Sequence, residues 1–116
     1  MKTKKVLLIS TEKDLIEIIK ISALTLTKLN CQVSFDDTVD EKLIIEITSA
    51  ENLDLIIVDL DEKTLDPIST IGKIRSYPGS VSKKIISVYF NEVNKDKVYE
   101  AGCDSIMSKD ELKKVV

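Results

Sequence analysis

Short apolar runs alternate with longer amphipathic stretches along this chain. The runs are brief and rich in β-branched residues, which is typical of strands. In the stretches between them, apolar residues recur every three or four positions, the spacing of a helix with one buried face. The runs predict five strands: Lys5–Ile9, Cys31–Phe35, Leu53–Val58, Ile85–Phe90 and Ser105–Met107.

Capping signals indicate where the intervening helices begin. Side chains that can accept a hydrogen bond from a free backbone N–H precede the first four helices, and the last helix is predicted from Asp110 onward. The predicted N-terminal caps are Thr11, Thr38, Asp66 and Asn94, and Gly102 is predicted to end the fourth helix. The second helix is expected to bury Val39, Leu43, Ile47 and Ala50.

Alternating strands and helices predict βαβ units, and hence a parallel sheet covered by helices on both faces. The run Leu55–Val58 is apolar throughout, as expected of a central strand buried on both sides. The 116 residues suffice for one packed core, so we expect a single α/β domain over residues 1–116. Whether this domain is a whole protein or is excised from a longer one stays open.

Composition narrows the functional classes. A net charge of −3, a pI near 5.0 and 4% aromatic residues with no Trp argue against binding of nucleic acid. The apolar run at Val6–Ile9 is too short for a signal peptide or a membrane span, so we expect a cytoplasmic protein with no membrane partner. The absence of His excludes Ser-His-Asp and Cys-His catalysis.

Asp59 closes the apolar run Leu55–Val58 and is the most informative residue of the chain. In open parallel sheets, ligands and reactive groups collect at the carboxyl ends of the strands. A carboxylate at the end of a buried strand therefore suggests a functional site there.

Four segments together resemble the receiver domain of bacterial two-component response regulators over essentially the whole chain. They are Val58-Asp59-Leu60, Asp66 before Pro67, Glu100-Ala101-Gly102-Cys103-Asp104, and Ser108-Lys109. The resemblance implies a flavodoxin-like (βα)5 three-layer fold with a parallel sheet in the order 2-1-3-4-5. It also makes Asp59 the candidate phospho-acceptor and Lys109 the candidate partner of the phosphate.

The chain departs from the receiver pattern at the four positions that bind metal or act as switches, and also at Pro67, where Gly is usual, and at Asp110, where Pro is usual. Ser10 and Thr11 stand where receivers carry the acidic pair that holds Mg²⁺, and two hydroxyls lack the charge of carboxylates. Tyr89 stands at the switch hydroxyl of the fourth strand, and Ile106 at the aromatic switch of the fifth. The resemblance therefore implies a receiver that has lost its metal pair and both switch residues.

Each candidate also has a structural interpretation. Asp59 and Lys109 would form an ion pair at the pocket, and Ser10 and Thr11 would cap the first helix. Glu12 and Asp61 are weak candidates for replacement metal ligands. Alternatively, Glu12 complements the helix dipole and Asp61 belongs to a solvated turn.

Two further residue types have open roles. Tyr89 either fills the vacated pocket or is an ordinary strand residue with its hydroxyl in solvent. In the receiver strand order, Cys31 and Cys103 start strands on opposite edges, too far apart for a disulfide, so both are expected to be unreactive thiols.

The resulting hypothesis is a pseudo-receiver: a non-enzymatic signalling module without a cofactor that acts through protein contacts. Its partners would be signalling proteins, with a histidine kinase or an output domain as candidates, and the contact surface would lie in Asn94–Val116 around Tyr99 and the exposed side of Ile106–Lys109. The alternative is a working receiver phosphorylated on Asp59 by a histidine kinase, with Mg²⁺ held by substituted ligands. A flavin- or nucleotide-binding enzyme fits worst, because the loops after the first and third strands contain no Gly.

Overall fold

The computed structural model describes the backbone of residues 2–28, 31–50 and 53–115, and the side chains of residues 5–21, 36–50 and 53–112. Within the described residues, five strands alternate with five helices, as predicted. The strands are β1 (Lys2–Ile9), β2 (Cys31–Asp37), β3 (Leu55–Asp59), β4 (Lys84–Tyr89) and β5 (Ser105–Ser108). The helices are α1 (Lys13–Lys28), α2 (Glu41–Thr48), α3 (Pro67–Ser76), α4 (Lys95–Ala101) and α5 (Lys109–Val115).

The five strands form one parallel sheet in the order β2-β1-β3-β4-β5, which confirms the flavodoxin-like fold. The register pairs Ile9 with Val58, Asp59 with Val88 and Tyr89 with Ser108. Because all strands run the same way, their carboxyl ends meet along one side of the sheet, here called the carboxyl edge.

Apolar side chains pack on both faces of the sheet, and alternation along each strand divides them between two clusters. The cluster under α2, α3 and α4 contains Leu7, Ile9, Ile44, Leu53, Ile56, Val58, Ile71, Ile74, Ile85, Val98 and Cys103. The cluster under α1 and α5 contains Leu8, Leu15, Ile19, Ile57, Val88 and Leu112. None of the helices, over the residues described, has the length and apolar character needed to cross a membrane.

Three of the predicted helix boundaries are confirmed. Asp66 accepts a hydrogen bond from Ser69 N before α3, and Asn94 accepts one from Lys97 N before α4. Gly102 ends α4 with φ of 118°, in the left-handed region that Gly adopts without steric cost.

The prediction for α2 was wrong in two respects. Its N-terminal cap is Asp40, which accepts from Lys42 N and Leu43 N, whereas Thr38, two residues earlier, accepts from Asp40 N. Leu43 is exposed, and the buried positions are Ile44 and Thr48. Val39 and Ile47 pack against the core as predicted, so the predicted face was wrong at Leu43.

The side chain of Arg75 makes several hydrogen bonds at the side of the sheet opposite the carboxyl edge. Its guanidinium donates from Nε to Gly102 O at 2.7 Å and from Nη1 to Val81 O at 2.8 Å. Nη2 lies 2.8 Å from Asp104 Oδ2, and this carboxylate also accepts from Ile85 N. These contacts join the end of α3 to the segments that lead into β4 and β5.

Candidate functional site

A cleft of about 350 Å³ opens at the carboxyl edge, where β1, β3 and β4 end and α5 begins. The sheet register brings residues from these four segments together around Asp59. The cleft is lined by Thr11, Glu12, Asp59, Asp61, Glu62, Lys63, Thr64, Phe90, Asn91 and Lys109.

Asp59 is the last residue of β3 and is 2% exposed. Its Oδ2 accepts a hydrogen bond from Ser10 Oγ at 2.7 Å, and its Oδ1 accepts one from Asp61 N at 2.9 Å. Oδ1 also lies 3.0 Å from Lys109 Nζ, so the ion pair expected from the sequence is present. Both oxygens of Asp59 are therefore engaged by groups of the chain itself.

Lys109, the first residue of α5, is 7% exposed and meets three carboxylates. Its Nζ lies 2.6 Å from Glu12 Oε2, 3.0 Å from Asp59 Oδ1 and 2.9 Å from Asp61 Oδ2. Burial lowers the pKa of Lys109, but the three carboxylates outweigh burial and hold the pKa above its usual value of 10.5. One ammonium and three carboxylates give this cluster a formal charge of −2.

Asp61 lies in a turn, as that interpretation held, but its side chain is largely buried and hydrogen-bonded. Its Oδ2 accepts from Phe90 N at 2.7 Å and its Oδ1 from Asn91 N at 3.2 Å. Burial raises the pKa of Asp61, but hydrogen bonds from Lys109, Phe90 and Asn91 together bring the pKa below its usual value. Sequence analysis missed Phe90 and Asn91, although their position directly after β4 places them at the carboxyl edge.

Thr11 does not cap α1 as predicted. Its backbone N and its Oγ1 both donate to Glu62 Oε1, at 2.7 and 2.9 Å. Thr64 Oγ1 donates to Glu62 Oε2 at 2.6 Å, and Glu62 is 8% exposed. Burial raises the pKa of Glu62, but the hydrogen bonds from Thr64 and Thr11 hold it below its usual value. No sequence signal pointed to Glu62, because it lies 51 residues from Thr11.

Ser10 does not cap α1 as predicted either, because its hydroxyl accepts from the residue before the helix and not from an N–H of the first helical turn. Ser10 is 1% exposed, and its Oγ accepts from Glu12 N at 3.0 Å while donating to Asp59. Its hydroxyl thus links the residue before α1 to the buried carboxylate of Asp59. A second carboxylate at this position would instead add a like charge beside Asp59.

Mg²⁺ prefers near-octahedral coordination by hard, partly carboxylate oxygens, and at this site the oxygens already have partners within the chain. The hydroxyls of Ser10 and Thr11 both donate to carboxylates. The carboxylates of Glu12, Asp59 and Asp61 surround an ammonium group. Over the described part of the chain, no three or more His, Cys, Asp or Glu side chains are spaced to hold a metal ion.

Neither position assigned to a switch faces the cleft. The ring of Tyr89 lies under Lys95 Nζ, 5.3 Å from the ring centroid, and does not line the cleft as a plug would. Ile106 packs against the core cluster under α4. Phe90, which is 73% exposed, is the aromatic residue at the cleft.

The surface predicted for partners is only partly exposed. Tyr99 on α4 is 49% exposed, as that prediction requires. Lys109 is buried and Ile106 is half-buried, so the expected exposed side of Ile106–Lys109 does not include these two side chains.

The two cysteines are far apart, as predicted. Cys31 starts β2 and Cys103 precedes β5, and these strands form opposite edges of the sheet. Cys103 is buried, and its Sγ lies 3.0 Å from Ser87 Oγ and 2.9 Å from Ser105 O. The side chain of Cys31 lies outside the described residues.

Comparison with known proteins supports the assignment of the fold. No protein-family model and no curated protein sequence matches the chain. Solved structures do match. The phosphorylated cyanobacterial phytochrome response regulator RcpA superposes with a TM-score of 0.76 at 19% identity, covering 97% of this chain and 88% of RcpA.

Two further structures support the same assignment. The receiver domain of a sensor histidine kinase from Pseudomonas aeruginosa PAO1, with a magnesium ion in its active site cleft, gives a TM-score of 0.71 at 19% identity and coverage of 97% and 93%. The chemotaxis protein CheY4 of Vibrio cholerae superposes with a TM-score of 0.69 at 17% identity, covering 98% of this chain and 99% of CheY4. From its topology and these similarities, the chain has the flavodoxin-like fold of response regulator receiver domains.

Proposed function

We propose that this chain is a pseudo-receiver module of two-component signalling, which acts through protein contacts without Mg²⁺-dependent phosphorylation of Asp59. The proposal rests on one observation above all. Lys109, the candidate for pairing with a phosphate, already contacts three carboxylates of its own chain.

In the absence of a bound cation, the charge of the cluster argues against phosphoryl transfer. Transfer of a phosphoryl group depends on positive charge that neutralises its oxygens in the transition state. Here the Lys109 cluster carries a formal charge of −2 before any phosphate arrives. A phosphoryl group on Asp59 would add negative charge to a buried site that already holds an excess of it.

The two hydroxyl residues add to this argument. Ser10 and Thr11 stand at the positions that the receiver pattern assigns to the metal pair, and their hydroxyls are used inside the chain. Ser10 donates a hydrogen bond to Asp59, and Thr11 holds Glu62 beside the start of α1. These residues support a permanent structure more readily than a transient metal complex.

Amide NMR with Mg²⁺ and beryllofluoride, a phosphoryl mimic, tests the loss of phosphorylation. A receiver that responds to beryllofluoride serves as the positive control. We expect no saturable shifts at Asp59 or Lys109 at millimolar Mg²⁺, with or without the mimic. A saturable response that disappears in Asp59→Asn would refute the proposal.

Partner binding is tested on purified histidine-kinase and output domains, with an exposed aromatic residue of α4 as the probe. Tyr99→Ala removes this side chain, and Tyr77→Ala is the matched control because Tyr77 is 47% exposed at the end of α3. We expect Tyr99→Ala to weaken binding about tenfold, the effect of losing an aromatic hot spot, and Tyr77→Ala to leave binding unchanged. If Tyr99→Ala and Tyr77→Ala bound the partner domain with equal affinity, the α4 surface would be excluded as the binding site.

The second candidate function is a working phospho-acceptor with substituted Mg²⁺ ligands. The convergence of Glu12 and Asp61 near Asp59 favours it, since a metal ion could compete with the ammonium of Lys109 for these carboxylates. The saturable Mg²⁺ response described above is the result that this candidate requires.

A further inference from the structure

A groove of about 420 Å³ lies between α2 and α3, and its lining residues differ from those of the carboxyl-edge cleft. It is lined by Glu41, Lys42, Ile45, Lys73 and Tyr77. Near the start of α2, Lys73 Nζ lies 2.9 Å from Glu41 Oε1. At the end of α2, Gly79 packs closely against Ser49. Because α2 has 8 residues, the groove between these two contacts is about 12 Å long.

Helical spacing divides the groove into a charged end and an apolar end. Ile45 lies four residues after Glu41 on α2, and Tyr77 lies four residues after Lys73 at the end of α3. Residues four apart share one face of a helix and are separated by one turn, or about 6 Å along the axis. The side chains of Ile45 and Tyr77 therefore lie about one turn beyond the charged side chains.

The backbone at Tyr77 is held by the turn that follows it. Ser80 N donates to Tyr77 O at 3.1 Å, and Ser80 Oγ donates to Ile74 O at 2.6 Å. Ser80 is fully buried, and Pro78 fixes its own φ between these contacts. Tyr77 is nevertheless 47% exposed, so an aromatic side chain faces solvent from an ordered backbone. A partner that packs on this ring would order little of the chain on binding.

The charged end of the groove is positive, although the chain has a net charge of −3. The ammonium groups of Lys42 and Lys73 and the carboxylate of Glu41 give a formal charge of +1. Among the described side chains, Lys42 has no ion-pair partner, because Asp40 accepts from backbone N–H groups at the start of α2. Lys73 and Glu41 are 50% and 60% exposed, and the ammonium of Lys73 has three donors, so it can bind a second carboxylate.

We propose that this groove, here called the α2–α3 groove, binds an extended acidic segment of a partner protein in which an acidic residue lies two positions from an apolar one. In an extended chain, side chains two positions apart point the same way and lie about 6.6 Å from each other. This distance matches the one helical turn between the two ends of the groove. The acidic side chain would pair with Lys42 and Lys73, and the apolar side chain would pack on Ile45 and Tyr77. The surface is separate from the α4 surface of the proposed function and does not depend on the state of Asp59.

A synthetic peptide tests the proposal on the unaltered chain. The probe is acetyl-Leu-Ser-Glu-Ser-Leu-amide, whose symmetry presents the required spacing in either chain direction. The readout is the shift of the Ile45 and Tyr77 amides by NMR, and we expect it to saturate at millimolar peptide. Peptides with Lys in place of Glu, or with Ser in place of both Leu, should bind at least about tenfold more weakly, as loss of a central contact predicts.

Paired variants of the chain localise the binding site. Lys42→Glu reverses one charge of the groove and places an acidic residue in the first turn of α2, where the helix dipole tolerates it. Lys20→Glu makes the same change in net charge on the exposed side of α1 and is its control. Tyr77→Ala removes the aromatic wall, with Tyr99→Ala on α4 as its control. We expect about tenfold weaker peptide binding in Lys42→Glu and Tyr77→Ala, followed at the amide of Ile45, and no change in the controls.

Three results would overturn the proposal. They are no saturable shift with the acidic peptide, equal affinity for the Glu and Lys peptides, and equal losses in Lys42→Glu and Lys20→Glu. Sedimentation at increasing protein concentration tests a different occupant: a dimer that Tyr77→Ala dissociates would assign the groove to a second copy of this chain and would also overturn the proposal. Each of these results would leave binding of histidine-kinase and output domains, which Tyr99→Ala tests, unaffected.

Discussion

Replacement of Lys109 by Met should destabilise the fold strongly. The substitution keeps an unbranched side chain of similar length and removes the ammonium that pairs with Glu12, Asp59 and Asp61. Removal of one partner of a buried ion pair lowers the free energy of unfolding by about 3–5 kcal/mol, because the remaining charge is left buried without its partner.

The structure narrows this range for Lys109→Met. Asp59 keeps hydrogen bonds from Ser10 Oγ and Asp61 N, and the side chain of Glu12 is 42% exposed, so solvent can stabilise it. We therefore expect a loss of about 3 kcal/mol at neutral pH, the lower end of the range. The free energy of unfolding of a domain of this size is roughly 5–15 kcal/mol, so the loss is a large fraction of its stability.

Urea unfolding followed by circular dichroism measures this loss, and Lys73→Met is the matched control. Lys73 pairs with Glu41 at 2.9 Å, but the two side chains are 50% and 60% exposed. An exposed pair of this kind contributes about 0–1 kcal/mol, so the control should unfold almost as wild type does. Similar losses in the two variants, or a loss below about 1 kcal/mol for Lys109→Met, would refute the argument from burial.

Three smaller predictions concern other parts of the chain. Gly102→Ala should destabilise the fold by about 1–3 kcal/mol, because Gly102 has a positive φ and the new Cβ would clash with the side chain of Arg75. Gly72→Ala in α3 should instead stabilise the fold by about 0.4–1 kcal/mol, since its new Cβ has no atom within contact distance. Thermal unfolding of the two variants compares these effects. The pKa of Glu62 is lowered on folding, so the carboxylate contributes to the free energy of unfolding above pH 4.5, and this contribution is lost as pH falls through the folded-state pKa. The unfolding curves of wild type and Glu62→Gln should therefore differ at pH 7 and converge in acid. Asp66→Ala should cost about 1 kcal/mol through loss of the α3 cap, and an unchanged melting temperature would contradict this.

The fold could be predicted from the sequence because its signals are local and agree with one another. Apolar runs, the Asp66 and Asn94 caps and Gly102 each report on a few neighbouring residues, and the structure confirms them. The α2 cap was misassigned because Thr38 and Asp40 are both good caps two residues apart, and only tertiary packing of Ile44 decides between them.

The candidate site could be located but not described from the sequence. Asp59 at the end of an apolar run indicated the carboxyl edge, and the resemblance to receivers supplied Lys109. The roles of Asp61 and Glu62 depend on partners that lie 29 to 51 residues away, at Phe90 and Thr11. Side-chain hydrogen bonds across such separations leave no periodic pattern, so both residues looked like part of a polar turn.

The long sequence separation of the contacts at the carboxyl edge has a consequence for folding kinetics. Lys109 reaches Glu12 across 97 residues, and Ser10 reaches Asp59 across 49. Contacts of this range form only after most of the chain is ordered, because closing such loops costs entropy that other contacts must first offset. We therefore expect the carboxyl edge to be assembled after the folding transition state, so that Lys109→Met speeds unfolding and leaves the folding rate nearly unchanged. In a chevron plot only the unfolding limb would then move, and the cluster would determine how long the native state lasts, not how quickly it forms.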